Sequence, residues 1–334
     1  MKSVARLCSV AMTDHAKCSL FLPQAMLSYA QLLERTRLVE KLGYEGMWVV
    51  DHMWAGGMPE LDFLEGWTAI AGLAAQTQRL RLGVLVTCNS YRNPGMLAKS
   101  VATADHISAG RIELGIGAGW MEAEYRAYGY DFPSIGVRLA QLEESLEIIT
   151  QLFTRERTSF AGKHYTFTDA PFAPKPVQEP LPITIGGGGT RVLMRLVARY
   201  AARWNCPMPT AVRLTEHLEA LAAHCDAIGR DPSEITIGEQ VAVVLGRDDA
   251  DLKKQTRARR AHDRWLRRHR YSCSMRHAHC RNRWFAQEDG RGSQRLCCSA
   301  GRSRQPREHR TVRHRSNAAS AGGLARSVHD TLWL

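Results

Sequence analysis

The sequence predicts a (β/α)8 TIM barrel, and three features carry that expectation. Short apolar runs recur through residues 18–252, and each is followed by a stretch with a helical apolar period. The runs are continuous rather than alternating, as expected of strands buried on both faces of a parallel sheet. Their number, over about 250 residues, suits a closed barrel better than an open doubly wound sheet.

Leu20-Phe21-Leu22 forms the first strand and stops at Pro23. The following helix puts Leu32, Thr36 and Val39 on one side, and Gly43 suits its C-terminal stop. Met47-Trp48-Val49-Val50 is the second strand, ending at Asp51-His52. A helix around Leu64–Gln76 leads to the third strand, Leu80 to Val86. Asn93 and Pro94 read as an N-cap and a first-position proline, opening a helix to about Ser108. Arg111 to Gly115 is the fourth strand. Leu139, Leu142, Leu146, Ile149 and Phe153 then mark one helix face, with Glu143, Glu144 and Glu147 turned away.

Residues 155–180, rich in aromatics and proline, read as an inserted excursion such as a hairpin. Ile183-Thr184-Ile185 is the fifth strand, followed by a helix through Leu193, Leu196, Val197 and Tyr200. Arg203-Trp204-Asn205 is a brief sixth strand. A helix through Leu214, Leu218, Leu221, Cys225 and Ile228 ends at Gly229, and Ile235 to Leu245 is the seventh strand. The eighth strand and the closing helices are missing from this pattern. A barrel short of one strand exposes two edges, so the expectation is a destabilised, aggregation-prone or inactive chain.

The 334 residues are 44% hydrophobic and 23% charged, enough for a full-sized core and unlike a disordered, collagen-like or disulfide-scaffold chain. The best apolar run, Ala69 to Ala75, falls far short of the ~18 residues of a membrane span. Lys2 and Arg6 open the chain, but Asp14, His15 and Lys17 interrupt any secretory apolar region. Nine cysteines without a Cys-x-x-Cys pair argue for a reducing, cytoplasmic setting and against a zinc ribbon; no metal site is expected.

Charge divides the chain. Residues 253–334 hold 21 Lys+Arg against 5 Asp+Glu and no isoleucine, whereas the rest holds 24 against 28. The expected division is an N-terminal extension, 1–17, a barrel domain, 18–252, and a basic, low-aliphatic tail, 253–334. The tail has three readings. Runs such as Arg257-Ala258-Arg259-Arg260, with Trp265, Tyr271 and Trp284, suit non-specific nucleic-acid binding on an otherwise inactive product. Cys273, His277, His279 and Cys280 resemble a metal quartet but match no common finger spacing. The favoured reading is GC-rich text translated out of frame, because the switch falls abruptly inside an unfinished fold.

The turns that leave barrel strands build the active site. Asp51-His52 has two readings: a proton donor and acceptor on a rigid strand end, or a capped turn. Gly115-Ile116-Gly117-Ala118-Gly119-Trp120 permits close approach of a ligand, or simply a tight turn. Gly186-Gly187-Gly188-Gly189-Thr190 sits between a buried strand and a helix, where free N–H groups and the helix N-terminus favour a phosphate over a flexible linker. No Gly-Lys-Ser/Thr follows, so a triphosphate P-loop is excluded.

Together these stretches resemble the luciferase-like monooxygenase superfamily, in particular its branch using the deazaflavin coenzyme F420. The matching residues are Leu20-Phe21-Leu22-Pro23-Gln24, Met47 to His52, Tyr91-Arg92-Asn93-Pro94, Ala104 to Arg111 running into Gly115 to Trp120, Phe132-Pro133, Pro174-Lys175-Pro176 and Ile183 to Gly189. The resemblance covers about 18–252. It implies a barrel with F420, or alternatively FMN, at its C-terminal mouth, and hydride transfer to or from a small organic molecule. FMN-dependent monooxygenation is the alternative activity. His52 is the implied catalytic residue, and Asp51 lies beside the ring. Leu85-Val86 takes the place of a non-proline cis peptide, Ala118 and Gly119 flank the cofactor, and Gly187, Gly188, Gly189 and Thr190 hold its phosphate. Homodimerisation is implied by the same analogy. The match departs at Trp120, where deazaflavin sugar-phosphate dehydrogenases carry an acidic residue.

Overall fold

A computed structural model describes residues 17–55, 58, 60–207, 213–240, 243, 248–257, 284–288 and 294–298. The chain falls into two units, Met1–Arg276 and His277–Leu334.

In the first unit the strands are β1 (Ser19–Phe21), β2 (Gly46–Val49), β3 (Arg81–Val84), β4 (Thr87–Cys88), β5 (Ile112–Gly117), β6 (Arg157–Ala161), β7 (Thr166–Pro171), β8 (Ile183–Gly186), β9 (Arg203–Cys206) and β10 (Thr236–Glu239). The helices are α1 (Tyr29–Lys41), α2 (Gly66–Ala74), α3 (Pro94–Ser108), α4 (Glu122–Ala127), α5 (Ile135–Thr154), α6 (Val192–Tyr200) and α7 (Leu214–Asp226), followed by a helix over 249–257. One sheet runs β1-β2-β3-β5-β8-β9-β10, every neighbouring pair parallel. Its strand C-termini therefore share one edge. Helices return the chain between strands, and β2, β5 and β8 are buried along their whole lengths.

Among the described residues nothing pairs β1 with β10, so the sheet curls without a strand that closes it. The seventh strand, expected to reach Leu245, is described only to Glu239; 241–242 and 244–247 lie outside the described residues. The expected excursion is the antiparallel hairpin β6–β7. Its tip is tied to α5: Glu144 accepts the N–H groups of Lys163, His164 and Tyr165 at 2.8–3.0 Å.

The third strand is two pieces rather than one. Gly83 pairs with Glu113 and Thr87 with Ile116, so Val84, Leu85 and Val86 stand opposite Leu114 and Gly115 in a bulge. The Leu85–Val86 bond within it is cis, as the resemblance implied. The bulge turns Val86 across its neighbours. A Cβ on Gly117 or Gly186 would lie 2.7 Å from a Val86 methyl, and one on Gly115 would lie 2.0 Å from Val84 O. Gly115 and Gly117 thus belong to β5 and make room for β3 and the bulge, not for a ligand.

Sequence-level caps hold. Asn93 Oδ1 accepts Gly95 N–H at 2.8 Å with Pro94 in the first turn of α3. Arg111 turns back to donate to the Ala74, Thr77 and Leu80 carbonyls at 2.8–3.0 Å, capping the end of α2. The apolar face of α5 buries Leu142, Leu146, Ile148, Ile149 and Leu152 in the core. At the N-terminal side of the strands, Glu113 accepts from Arg81 Nε at 2.7 Å and lies 3.5 Å from Arg203 Nε.

In the second unit Trp284–Glu288 (β11) and Gln294–Cys298 (β12) pair antiparallel. The sequence shows no strand period there. The rest of 253–334 beyond 257, including Cys273, His277, His279 and Cys280, lies outside the described residues, as do 1–16. Among the described residues no helix is long and apolar enough to cross a membrane.

Candidate active site

The end of β2 delivers Asp51 and His52 into a polar cluster that the sequence reading only half anticipated. His52 Nδ1 lies 2.8 Å from Glu124 Oε2, and the Glu124 side chain is 0% exposed. Tyr91 Oη donates to the same oxygen at 2.8 Å, while Met53 and Trp54 N–H donate to Oε1 at 2.8 and 3.3 Å. Burial pushes the Glu124 carboxyl up, but the bonds from His52, Tyr91 and Met53 outweigh it and hold it below the usual carboxylate range. An ionised carboxylate only accepts, so His52 Nδ1 carries the proton it shares with Glu124. Whenever the ring is neutral, its lone pair is therefore on Nε2.

Asp51 is engaged differently from the expectation. Its carboxylate is gripped by Arg92 through two bonds of 2.7 and 2.8 Å, and Oδ2 also accepts Cys88 N–H at 2.8 Å. Arg92 reaches on to Glu65 Oε1 at 2.6 Å, and Glu65 in turn caps α2 by accepting from Trp67 and Thr68 N–H. Asp51 therefore pins three segments together behind the histidine: the end of β2, the start of α2 and the 3-10 turn Asn89–Tyr91.

The strand-five turn follows the same logic. Gly119 has φ +76°, and a Cβ there would lie 2.0 Å from Tyr125 Oη and 2.7 Å from Cys88 Sγ. That turn throws Trp120 outward, where its ring meets His52 edge-on at 5.5 Å. Cys88 Sγ and Tyr125 Oη are 3.0 Å apart, and burial raises the thiol to about 11, so it stays neutral. Tyr91 is also raised, by burial first and then by Cys88 and Glu124, and remains a donor.

A cavity of about 850 Å³ opens beside this cluster. Asp51, His52, Tyr91 and Arg92 line one end, and it continues between α2 and α3 past Thr68, Met96 and Thr103. Leu85, Val86, Ala118, Gly119 and Gly187 to Thr190 do not line it. They occupy the same edge of the sheet, further along the strand order. From β2 to β8 is three strand spacings, roughly 14 Å in a flat sheet and less in a curled one.

The glycine corner leads from β8 into α6. Gly187 has φ +135°, its carbonyl accepts Trp204 Nε1 at 2.9 Å, and a Cβ there would lie 2.9 Å from Leu193. Arg191 provides no side-chain cap to α6, so Gly188, Gly189 and Thr190 lead into an uncapped helix N-terminus. His224 Nε2 lies 3.2 Å from Thr190 O beneath it.

Sequence reasoning missed Glu124, Tyr91 as its partner, and the Arg92 clamp. Glu124 sits in α4, a six-residue helix for which the sequence reading gives no element. The signal was present: Glu122-Ala123-Glu124 opens a stretch of good helix formers two residues after Trp120.

The Luciferase-like monooxygenase family model matches residues 11–322. This chain belongs to that family. The match extends at both ends beyond the 18–252 of the motif resemblance. An F420-dependent glucose-6-phosphate dehydrogenase of Intrasporangium calvum is 34% identical over 178 residues, covering 52% of this chain and 51% of that protein. The luciferase-like chain thus spans about half the length of the curated relatives it matches. An F420-dependent secondary alcohol dehydrogenase, solved with an F420-acetone adduct, superposes with a TM-score of 0.61 at 22% identity over 67% of this chain and 68% of that one. A monooxygenase of Streptomyces bottropensis gives 0.64 at 23% identity, covering 76% and 79%. At such identities the two structures establish the shared fold, and with it the barrel-type architecture expected from the sequence.

Proposed function

We propose that this luciferase-like protein is an oxidoreductase that exchanges a hydride between coenzyme F420 and an organic substrate. The carrying observation is the buried Glu124 carboxylate holding His52 Nδ1, which dedicates Nε2 to proton exchange. The similarity to F420-dependent relatives supports the choice of cofactor.

The residues present suit such a group. The uncapped start of α6 and the glycines before it offer N–H groups to a phosphate. Leu85, Val86, Ala118 and Gly119 supply a small, apolar backing for a flat ring at the neighbouring strand ends. Asp51 contributes to the cofactor site indirectly, by fixing Arg92 and the segment after β2. When bound, a deazaflavin gives or accepts two electrons as a hydride.

The chain's own residues do the remaining work. Neutral His52 accepts a proton at Nε2 from a substrate being oxidised, and protonated His52 returns one to a substrate being reduced. Glu124 stabilises the charged ring and fixes its orientation, while Tyr91 and two backbone N–H groups keep Glu124 ionised. Trp120 shields one side of the imidazole from water. The basic segment 253–334 takes no part in this reading.

The test is a titration of the full chain with F420 and with FMN. Saturable F420 binding with weak or no FMN binding is expected. Tight FMN binding without F420 affinity would replace this reading with the FMN-dependent monooxygenase.

A further inference from the structure

We infer that the substrate is an uncharged, largely apolar molecule bearing a hydroxyl or carbonyl group, and not a sugar phosphate or carboxylate. This rests on the hydride-exchange reading, because it asks what can approach the free Nε2 of His52.

An aromatic ring stands directly against the imidazole, and two more belong to the segments beside it. Trp120 stands edge-on to the imidazole and remains 47% exposed, an unusual placement for so large an apolar ring unless something covers it. Trp54 and Tyr128 pack with tilted rings 5.7 Å apart, and Tyr128 is 53% exposed. Trp54 is joined to the site through its N–H bond to Glu124. Its buried indole Nε1 has no hydrogen-bond partner among the described residues.

The charges point the same way. Asp51, Glu65 and Glu124 place three carboxylates around His52. The cations of the adjoining cavity are Arg92 and Lys99. Arg92 is committed to Asp51 and Glu65; Lys99 Nζ donates to Ala173 O at 2.8 Å and lies 4.0 Å above the Phe172 ring. Arg126, on α4, is paired with Glu122. Three carboxylates against Arg92 and Lys99 leave the surroundings of His52 net negative, which disfavours an anionic substrate. A neutral alcohol or ketone meets the Trp120 ring and a proton-exchanging nitrogen.

The test uses the full chain loaded with whichever cofactor the titration above selects, so failure of the F420 reading is recorded separately. Binding of cyclohexanol and of glucose 6-phosphate is measured by calorimetry, without turnover. Cyclohexanol is expected to bind saturably and at least about tenfold more tightly than glucose 6-phosphate. Trp120→Ala should weaken cyclohexanol about tenfold, and Trp120→Phe should restore most of it. Trp120 is half exposed, so neither change threatens folding. The inference is overturned by equal or tighter glucose 6-phosphate binding, by cyclohexanol binding that ignores Trp120→Ala, or by no binding of either probe.

Discussion

His52 Nδ1 and Glu124 Oε2 are joined at 2.8 Å across 72 residues of chain, with the carboxylate fully buried. One residue follows β2 and the other belongs to α4, after β5. The pairing exists because parallel strands put both ends on one edge. It converts an exposed-edge histidine into one with a defined orientation and a defined free nitrogen.

Glu124→Gln keeps the shape of the side chain but offers an N–H where an acceptor stood. The imidazole then has reason to carry its proton on Nε2, the wrong nitrogen for accepting one. Turnover should fall about 100-fold or more, with cofactor affinity changed little. Steady-state kinetics beside a cofactor titration separate these effects; an unchanged kcat would remove Glu124 from the mechanism.

Glu124 also links stability to pH. Its folded value is depressed, so its contribution is complete above the ordinary carboxylate value of ~4.3 and fades as pH falls through the lower folded value. Urea midpoints measured between about pH 6 and pH 3 should therefore drop more steeply for the wild type than for Glu124→Gln. Parallel slopes would mean that the carboxylate is not held down.

Arg92→Ala leaves Asp51, a carboxylate with 4% of its side chain exposed, without its two-pronged partner. A loss of about 3 kcal/mol is expected by chemical denaturation, with Arg92→Lys recovering only part because it lacks the fork. A change below about 0.5 kcal/mol would show the clamp to be ornamental.

At the glycine corner, two alanines discriminate. Gly187→Ala meets both a φ of +135° and the Leu193 side chain at 2.9 Å, and should cost about 1–3 kcal/mol. Gly189→Ala meets Leu193 Cβ at an ordinary 3.6 Å and should stay within about 0.5 kcal/mol. Thermal melts of both proteins check the contrast.

In the core, Leu146→Ala removes a fully buried side chain from the face of α5 that the sequence period identified. About 2–5 kcal/mol of stability should go with it.

Most of the scaffold was legible because its signals are local. The Asn93–Pro94 cap, the Leu142–Leu146–Ile149 stripe and the apolar runs of β2, β5 and β8 report themselves within a few residues. The β6–β7 hairpin was legible for the same reason. What stayed hidden was what only the fold brings together. The Arg92 grip on Asp51 spans 41 residues and the Glu124 bond to His52 spans 72, so no spacing rule could reveal either. Gly115 and Gly117 misled in an instructive way: their missing side chains admit Val86 and Val84 O, an approach that looks identical in sequence to room for a ligand. The Ala104–Arg111 motif, the densest part of the resemblance, is likewise scaffold. Asp105 accepts Ile112 and Gln178 N–H, and Arg111 caps α2.

Nitrogen NMR of the His52 ring, in protein with labelled histidine at a pH where the ring is neutral, probes the key relationship without requiring substrate or cofactor. The expected spectrum is that of a ring protonated on Nδ1 with a bare Nε2, shifting toward the Nε2–H form in Glu124→Gln. A wild-type ring found with its proton on Nε2 would contradict the dedicated proton-exchange site on which the proposed chemistry depends.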